Sequence, residues 1–383
     1  NETARIYDFN EIVTPIFEST ELFFKPLGEN SDVVLKEMYT FQDRNETSLT
    51  LRPEYTTPML RAAISNNFLE KTPQKFFGIG PMFRRERPQK GRYRQFHQIN
   101  FEILGVKDII ADVELIILAD SILKDLLPNK KISLYINSLG DNNTLEIFKK
   151  ELSLYFNKYK NSISKESQSK IHTNPLRILD SKNLSDNEIS LNAPKISDYY
   201  SQDAKNRFSD LQNLLFSNSI EYTVNPYLVR GLDYYCHSVF EFKTTDLGSQ
   251  DTLIGGGRYD ALVKLLGGPD ICGVGWAGGM ERLIMLMENF NKNQPKVHLI
   301  VINENFKSYG LKIANKLRKN NITVYYDYKY NLKKSLSTAN KLNSQYAVII
   351  GEDEVRDNLC TIKELGKNSQ KTIAIEKIVE ELK

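Results

Sequence analysis

The residues best suited to chemistry lie in "FRRERPQKGRYRQFHQINFE", residues 83–102, whose first twelve positions hold six basic side chains and one acid. From Gln98 onward polar and apolar residues alternate strictly. On a strand, side chains two apart share a face. Arg94, Phe96, Gln98, Asn100 and Glu102 therefore point one way, and His97, Ile99, Phe101 and Ile103 the other. Arg84 and Glu86 share a face of the preceding segment. One surface thus collects arginines, carboxylates, amides and a phenyl ring, while the opposite surface can serve as core. Such a row costs desolvation unless a ligand or an internal network satisfies it. It reads either as a pocket for a polyanion beside a second polar ligand, or as a structural ion-pair network behind a solvated hairpin tip.

Three further stretches carry candidate groups. In "RPEYTT", residues 52–57, Glu54 and Thr56 precede a helix, where a carboxylate and a hydroxyl can hold an ammonium group. Taken alone, helix capping is the better reading. In "LVRGLDYY", residues 228–235, Arg230 precedes a glycine at which the chain can turn. Arginine at such a turn suits phosphate or carboxylate. Tyr234 and Tyr235 are expected on opposite faces of the strand that follows. Finally, "LIGGGRYDALV" and "GVGWAGGMERLIML" place glycine runs at strand-to-helix junctions, where backbones can approach closely, with Arg282 in the first turns of a helix. No GK[ST] follows, so the phosphate-loop pattern is not matched, and neither is the dinucleotide pattern.

The elements that must position these groups fall into four blocks. Residues 1–139 mix strands and helices, with a helix from about Thr56, two strands around the basic loop and a long amphipathic helix in "DIIADVELIILADSILKDLL". Residues 140–220 are rich in Lys, Asn and Ser with helical periodicity, as expected of an insertion. β signals return over 221–291. "NKNQP" at 291–295 reads as a linker, and 296–383 alternates strands with helical stretches as a separate α/β domain.

Composition narrows the classes. With 383 residues, 40% hydrophobic and 26% charged, the chain is neither disordered nor fibrous. No apolar run is long enough for a membrane span. Cys236, Cys272 and Cys360 are far apart, and the four histidines are scattered. That spacing predicts no disulfide framework and no metal centre, and suits a reducing compartment. Net charge is only +3, but residues 296–383 hold 16 basic and 10 acidic residues, a local +6. A polyanionic partner and a lysine-rich solubility surface explain that asymmetry equally well. The opening "NETARIYDFNEIVTP" has no initiating Met and no signal-peptide core, so the start of the protein is expected to lie ahead of it.

Together these pieces resemble the histidyl-tRNA synthetase family of class II aminoacyl-tRNA synthetases. "FRRERPQKGRYRQFHQ" is similar to the second class-defining motif and "GVGWAGGMERL" to the third. Pro15 in "IVTPIFE" matches the proline of the first, at a dimer interface. "LVRGLDYY" and "GGGRYD" resemble the two histidine-specific signatures, and "NPLRILDSKN" extends the likeness into the insertion.

The resemblance implies an α/β (α+β) architecture: a class II antiparallel-sheet catalytic domain with a helical insertion, plus a C-terminal α/β anticodon-binding domain. It implies that Arg84 and Arg282 clamp the α- and γ-phosphates of ATP, that Glu86 meets the adenine and that Phe96 stacks on it. Glu54, Thr56 and Gln98 would hold the ammonium of L-histidine. Glu102 and Tyr235 would read the imidazole with Tyr259 nearby, and Arg230 would bridge carboxylate and α-phosphate. Arg84, Arg230 and Arg282 are thereby the catalytic candidates. Gln89, Arg87 and Arg92 would approach the acceptor end of tRNA(His). Mg2+ would accompany ATP, no other metal is implied, and a cytoplasmic homodimer without membrane attachment is expected.

Two features depart from the family pattern. Tyr55 stands where "RPEGT" usually has glycine, which implies a different local turn, and the N-terminal segment that the family carries ahead of "NEIVTPIF" is expected to be absent, which would remove part of the first strand region. A non-catalytic relative, such as the regulatory subunit of histidine biosynthesis, is the rival reading. Those proteins typically lose the ATP-contact residues and the C-terminal domain, and this chain keeps both.

Overall fold

The computed structural model describes residues 2–28, 31, 33–287, 296–367 and 369–382. The linker expected at 291–295 lies outside the described residues. The chain divides into two compact units, Asn1–Glu288 and Asn289–Lys383.

The first unit begins with α1 (Glu2–Ile6), β1 (Asn10–Glu11), β2 (Phe17–Ser19), α2 (Glu21–Leu27), β3 (Tyr39–Gln42), β4 (Ser48–Leu51) and α3 (Thr56–Ser65). The hairpin β5 (Gln74–Phe83) and β6 (Gln95–Leu104) follows, then α4 (Ile110–Leu126) and β7 (Ser133–Ser138). A helical segment comes next: α5 (Asn142–Lys158), α6 (Lys165–Lys170), α7 (Leu176–Leu179), α8 (Leu184–Ser190) and α9 (Gln202–Ser217). The unit closes with β8 (Thr223–Val224), β9 (Cys236–Lys243), β10 (Thr252–Arg258), α10 (Leu262–Leu265), β11 (Gly273–Gly279) and α11 (Met280–Leu286).

Eight strands form one sheet in the order β1-β5-β6-β11-β10-β9-β7-β8, and β2-β4-β3 form a smaller one. Only the edge strands β1 and β8 pair in parallel with their neighbours; the rest of the large sheet is antiparallel. The period-2 pattern sorts neighbours to opposite faces. Phe77, Phe101, Ile103, Phe240 and Trp276 join α4 in one core, while Phe76, Leu104, Val239 and Tyr259 join α3 and the helical segment in the other. Phe101 packs against Phe9 at 5.0 Å and Trp276 at 4.8 Å between ring centroids. The buried indole N–H of Trp276 donates to Leu115 O at 3.0 Å, so the aromatic layer leaves no donor unpaired there.

The Ser- and Asn-rich composition of the helical segment has a structural use. Asp141 caps α5 by accepting from Thr144 N at 2.8 Å. Buried Asp186 accepts from Ser164 N and from the hydroxyls of Ser164, Ser167 and Ser181, at 2.6–2.8 Å. Short polar side chains thus staple short helices that have little apolar face of their own.

The second unit holds β12 (Val297–Val301), α12 (Lys307–Lys319), β13 (Val324–Asp327), α13 (Leu332–Lys341), β14 (Tyr346–Ile350), α14 (Glu352–Arg356), β15 (Leu359–Glu364), β16 (Ser369–Ala374) and α15 (Ile378–Leu382). Its sheet runs β13-β12-β14-β15-β16, parallel at the first three and antiparallel at the rest. The fold class is that expected: an antiparallel-dominated sheet with helices, and a C-terminal α/β domain. Among the described residues, no helix is long and apolar enough to cross a membrane.

Candidate active site

Glu102 lies on β6 and is almost fully buried. Its carboxylate accepts from the Tyr259 hydroxyl and, at 2.7 Å, from the Thr56 hydroxyl. Burial, opposed by those hydrogen bonds, pushes the Glu102 carboxyl up to about 8. A neutral acid at the floor of a pocket can donate as well as accept. Gly275 faces it on β11, and a Cβ there would overlap the carboxylate.

Glu54 is also buried, and it caps α3. Its side chain accepts from Thr56 N at 2.7 Å and Thr57 N at 2.9 Å, so the capping reading of "RPEYTT" is the one observed. Burial raises its carboxyl above the usual range against those bonds. Tyr55 does not force a special turn: its backbone is ordinary right-handed helical, φ −107° and ψ −22°. The ring is absorbed over Gly78, where a Cβ would come within 2.6 Å of it. Its hydroxyl donates to Ile12 O at 3.3 Å and the Arg52 guanidinium sits 4.1 Å from the ring centroid.

Beside this floor lies a cleft lined by Arg84, Glu86, Arg92, Phe96, Gln98, Arg230, Thr252, Gly255, Glu281 and Arg282, among others. Arg84 is held by Pro53 O at 2.8 Å and lies 5.4 Å from the Phe96 ring centroid. Arg282 donates to Gly91 O at 2.9 Å and Thr252 O at 2.7 Å. Burial, and then the neighbouring Arg92 and Arg84, lowers the Arg282 pKa. Guanidinium groups crowded in this way favour a polyanion. Arg92 forms an ion pair with Glu86, so part of the row does satisfy itself internally. The Gln98 side-chain oxygen is buried without a hydrogen-bond partner among the described residues. Arg87 and Gln89 stand exposed on the loop, outside the cleft. On the opposite face Phe101 and Ile103 enter the core as expected, whereas His97 stays exposed and pairs with Glu281 at 2.9 Å.

Arg230 reaches the cleft from the turn before β9 and forms an ion pair with Glu241. Burial is the largest single influence and opposes its charge, but Glu241, Tyr235, Asp180 and Tyr234 together outweigh it and raise its pKa. Gly255 makes room for it, since a Cβ there would lie 2.5 Å from the guanidinium. Tyr234 and Tyr235 do not straddle a pleat. The strand starts at Cys236, and the two rings pack together in the preceding turn with centroids 4.6 Å apart. Tyr235 is buried, with the Arg230 guanidinium 5.8 Å from its ring centroid.

Two residues missed by sequence reasoning secure this turn from the helical segment. Asn174 Nδ2 donates to both Asp233 carboxylate oxygens, at 2.9 and 3.1 Å, and Arg177 donates to Gly231 O. Their only signal was "NPLRILDSKN", which gave a likeness but no contact.

A family model described as histidyl-tRNA synthetase matches residues 2–283, and one described as anticodon binding domain matches 296–383. The chain belongs to the histidyl-tRNA synthetase family. It is 45% identical over 382 residues to a histidine–tRNA ligase of Wolbachia pipientis wMel, covering 100% of this chain and 93% of that one. A histidine–tRNA ligase of Rickettsia bellii is 41% identical, covering 100% and 92%. Among solved structures, apo histidyl-tRNA synthetase of S. aureus matches with a TM-score of 0.80 and 31% identity, over 100% of this chain and 93% of that one. In a member of this family, a buried carboxyl beside a rim of arginines is suited to a small polar ligand adjoining a triphosphate.

Proposed function

We propose that the chain activates L-histidine with ATP to histidyl-adenylate and pyrophosphate, then transfers the histidyl group to tRNA(His), releasing AMP. The observation that carries this reading is Glu102, a buried carboxyl clamped by Tyr259 and Thr56 next to the cleft of Arg84, Arg230 and Arg282. A hydrogen-bonding pocket of this kind rejects ligands that lack the partner group by roughly 10⁴-fold or more, since its polar groups would go unpaired.

In the proposed arrangement Glu102 and Tyr235 read the imidazole beside Tyr259, and Glu54 and Gln98 hold the ammonium, with Thr56 fixing Glu102. Arg84 and Arg282 take the α- and γ-phosphates, while Glu86 and Phe96 receive the adenine. The histidine carboxylate attacks the α-phosphorus as the bond to pyrophosphate breaks, and the terminal ribose hydroxyl of tRNA then attacks the carbonyl as AMP leaves. No side chain forms a covalent bond, so positioning and fixed positive charge do the catalysis. Arg230 sits where charge grows on the α-phosphoryl oxygens. The Glu86 and Glu281 carboxylates on the cleft wall are oxygen donors of the type that would hold Mg2+, which would arrive with ATP and offset triphosphate charge.

Exposed Arg87 and Gln89 suit the acceptor end of tRNA, and Arg92, lining the cleft, would adjoin both substrates. The helical segment 140–220 acts as an insertion in the catalytic domain 1–291, and 296–383 binds the anticodon region. A homodimer through the Pro15 region is supported by the exposed apolar side chains of Ile6, Val13, Ile16, Phe17, Phe24 and Phe41. A cytoplasmic location is part of the same proposal. The test is charging of a tRNA(His) transcript with labelled histidine; ATP-dependent formation of histidyl-tRNA is expected, and no charging by folded protein would contradict the reading.

A further inference from the structure

Cys236 and His237 are neighbours on a strand, where alternation would send their side chains to opposite faces. The strand is not regular there. His237 has φ +47°, in the left-handed region that a non-glycine residue enters only at a cost. The β9–β10 register slips at the same place: Gly257 pairs with Val239, but the next residue, Arg258, pairs with Cys236. This bulge, pinned by His237 N to Gly140 O at 2.8 Å, turns both side chains to one side. Asp260 joins them from just beyond β10. The Cys236 sulfur, a His237 ring nitrogen and an Asp260 oxygen all lie within 4.8 Å of one another.

We propose that Cys236, His237 and Asp260 form a binding site for a divalent transition-metal ion of the zinc type. With metal–ligand bonds of about 2.0–2.3 Å, a tetrahedral ion spaces S, N and O donors roughly 3.3–3.6 Å apart, so side-chain adjustment of about an ångström closes the site. His237 Nδ1 is buried and has no hydrogen-bond partner among the described residues. Asp260 N donates to the Cys236 sulfur at 3.4 Å, a contact that also steadies a thiolate. One Asp260 oxygen accepts from Arg258 at 3.1 Å, leaving the other for the ion. The nearby guanidinium charges of Arg258 and Arg207 both face Asp112, which limits their repulsion of a cation. The three residues border a cavity of about 640 Å³, through which an ion and a fourth, water ligand can enter. A bound ion takes Cys236 as the thiolate, so binding releases the thiol proton to solvent.

The linear spacing of Cys and His cannot show this site, because the bulge and the crossing to β10 create it. Each flanking residue belongs to the histidine pocket: Cys236 follows Tyr235, and Asp260 follows Tyr259. A bound ion would tie together the two chain segments that carry those tyrosines.

The experiment titrates the metal-free full chain with Co2+ and follows the thiolate-to-cobalt charge-transfer band and the visible bands of a tetrahedral ion. One ion per chain is expected, displaced by Zn2+. The band should vanish in Cys236→Ser and persist in Cys272→Ser and Cys360→Ser. Because Cys236 is buried and its variant can misfold, His237→Gln is the second probe, with Co2+ affinity expected to fall about tenfold or more. No thiolate band in the wild-type chain, a band that survives Cys236→Ser, or unchanged affinity in His237→Gln would each overturn the proposal.

Discussion

Glu102 and Gly275 lie opposite each other across the β6–β11 ladder, and the carboxylate fills the space that a side chain at 275 would need. The glycine in "GVGWAGG" therefore makes the pocket floor possible. Gly275→Ala should push Glu102 away from Tyr259 and Thr56. Histidine affinity is expected to fall at least tenfold with ATP affinity retained, and thermal stability to drop by about 1–3 kcal/mol from overpacking. Calorimetric titration of both ligands checks this, and an unchanged histidine affinity would contradict it.

The raised Glu102 pKa sets a pH signature for histidine binding. Burial is the main cause; Glu54 adds to it, while Tyr259, Thr56 and Asn100 oppose it. Free imidazole titrates near about 6.5 and the empty-pocket carboxyl at about 8. The complex needs one proton between the two groups. From about pH 6.5 to 8 the pocket brings that proton, and above about 8 neither partner holds it. The ratio of wild-type to Glu102→Gln affinity should be flat through that window, then fall by up to about tenfold per pH unit. A ratio constant to pH 9.5 would show that Glu102 does not meet the imidazole.

The period of a strand makes the row from Phe96 to Glu102 legible in the sequence alone, because burial of Phe101 and Ile103 fixes which face the others occupy. Glu54 was legible as a cap for a similarly local reason. What stayed hidden depends on breaks in regularity or on distant segments. Tyr234 and Tyr235 pack against each other because β9 starts only after them. Tyr55 needs the empty surface of Gly78, on another strand. Asn174 and Arg177 reach the Arg230 turn from more than fifty residues away, and no local pattern encodes such a contact.

Arg230→Ala should slow adenylate formation by roughly 10²–10³-fold, the cost of losing one preorganised charge partner of a transition state. Histidine and ATP binding should change far less. Lysine should rescue little, because a point charge cannot replace a planar fork shared with Glu241. Rapid-quench measurement of the first turnover decides; a normal rate would reduce Arg230 to shaping the turn.

Arg177→Ala tests whether the helical segment positions that arginine. Arg177 donates to the Gly231 carbonyl, and among the described residues no hydrogen bond or ion pair joins it to a residue proposed to bind ATP or histidine. Loss of this tether should lower kcat for adenylate formation roughly tenfold or more, since small misplacements of a charged group are costly. KM for histidine should stay nearly constant, and Arg177→Lys should restore part of the rate. A rise in KM with unchanged kcat would point to a different role.

The most direct test of histidine activation is ATP–pyrophosphate exchange measured with each of the twenty amino acids in turn. Exchange with histidine, and none above background with the other nineteen, is the expected result. Exchange supported by a different amino acid, or by none with folded protein and Mg2+ present, would contradict the assignment of this pocket.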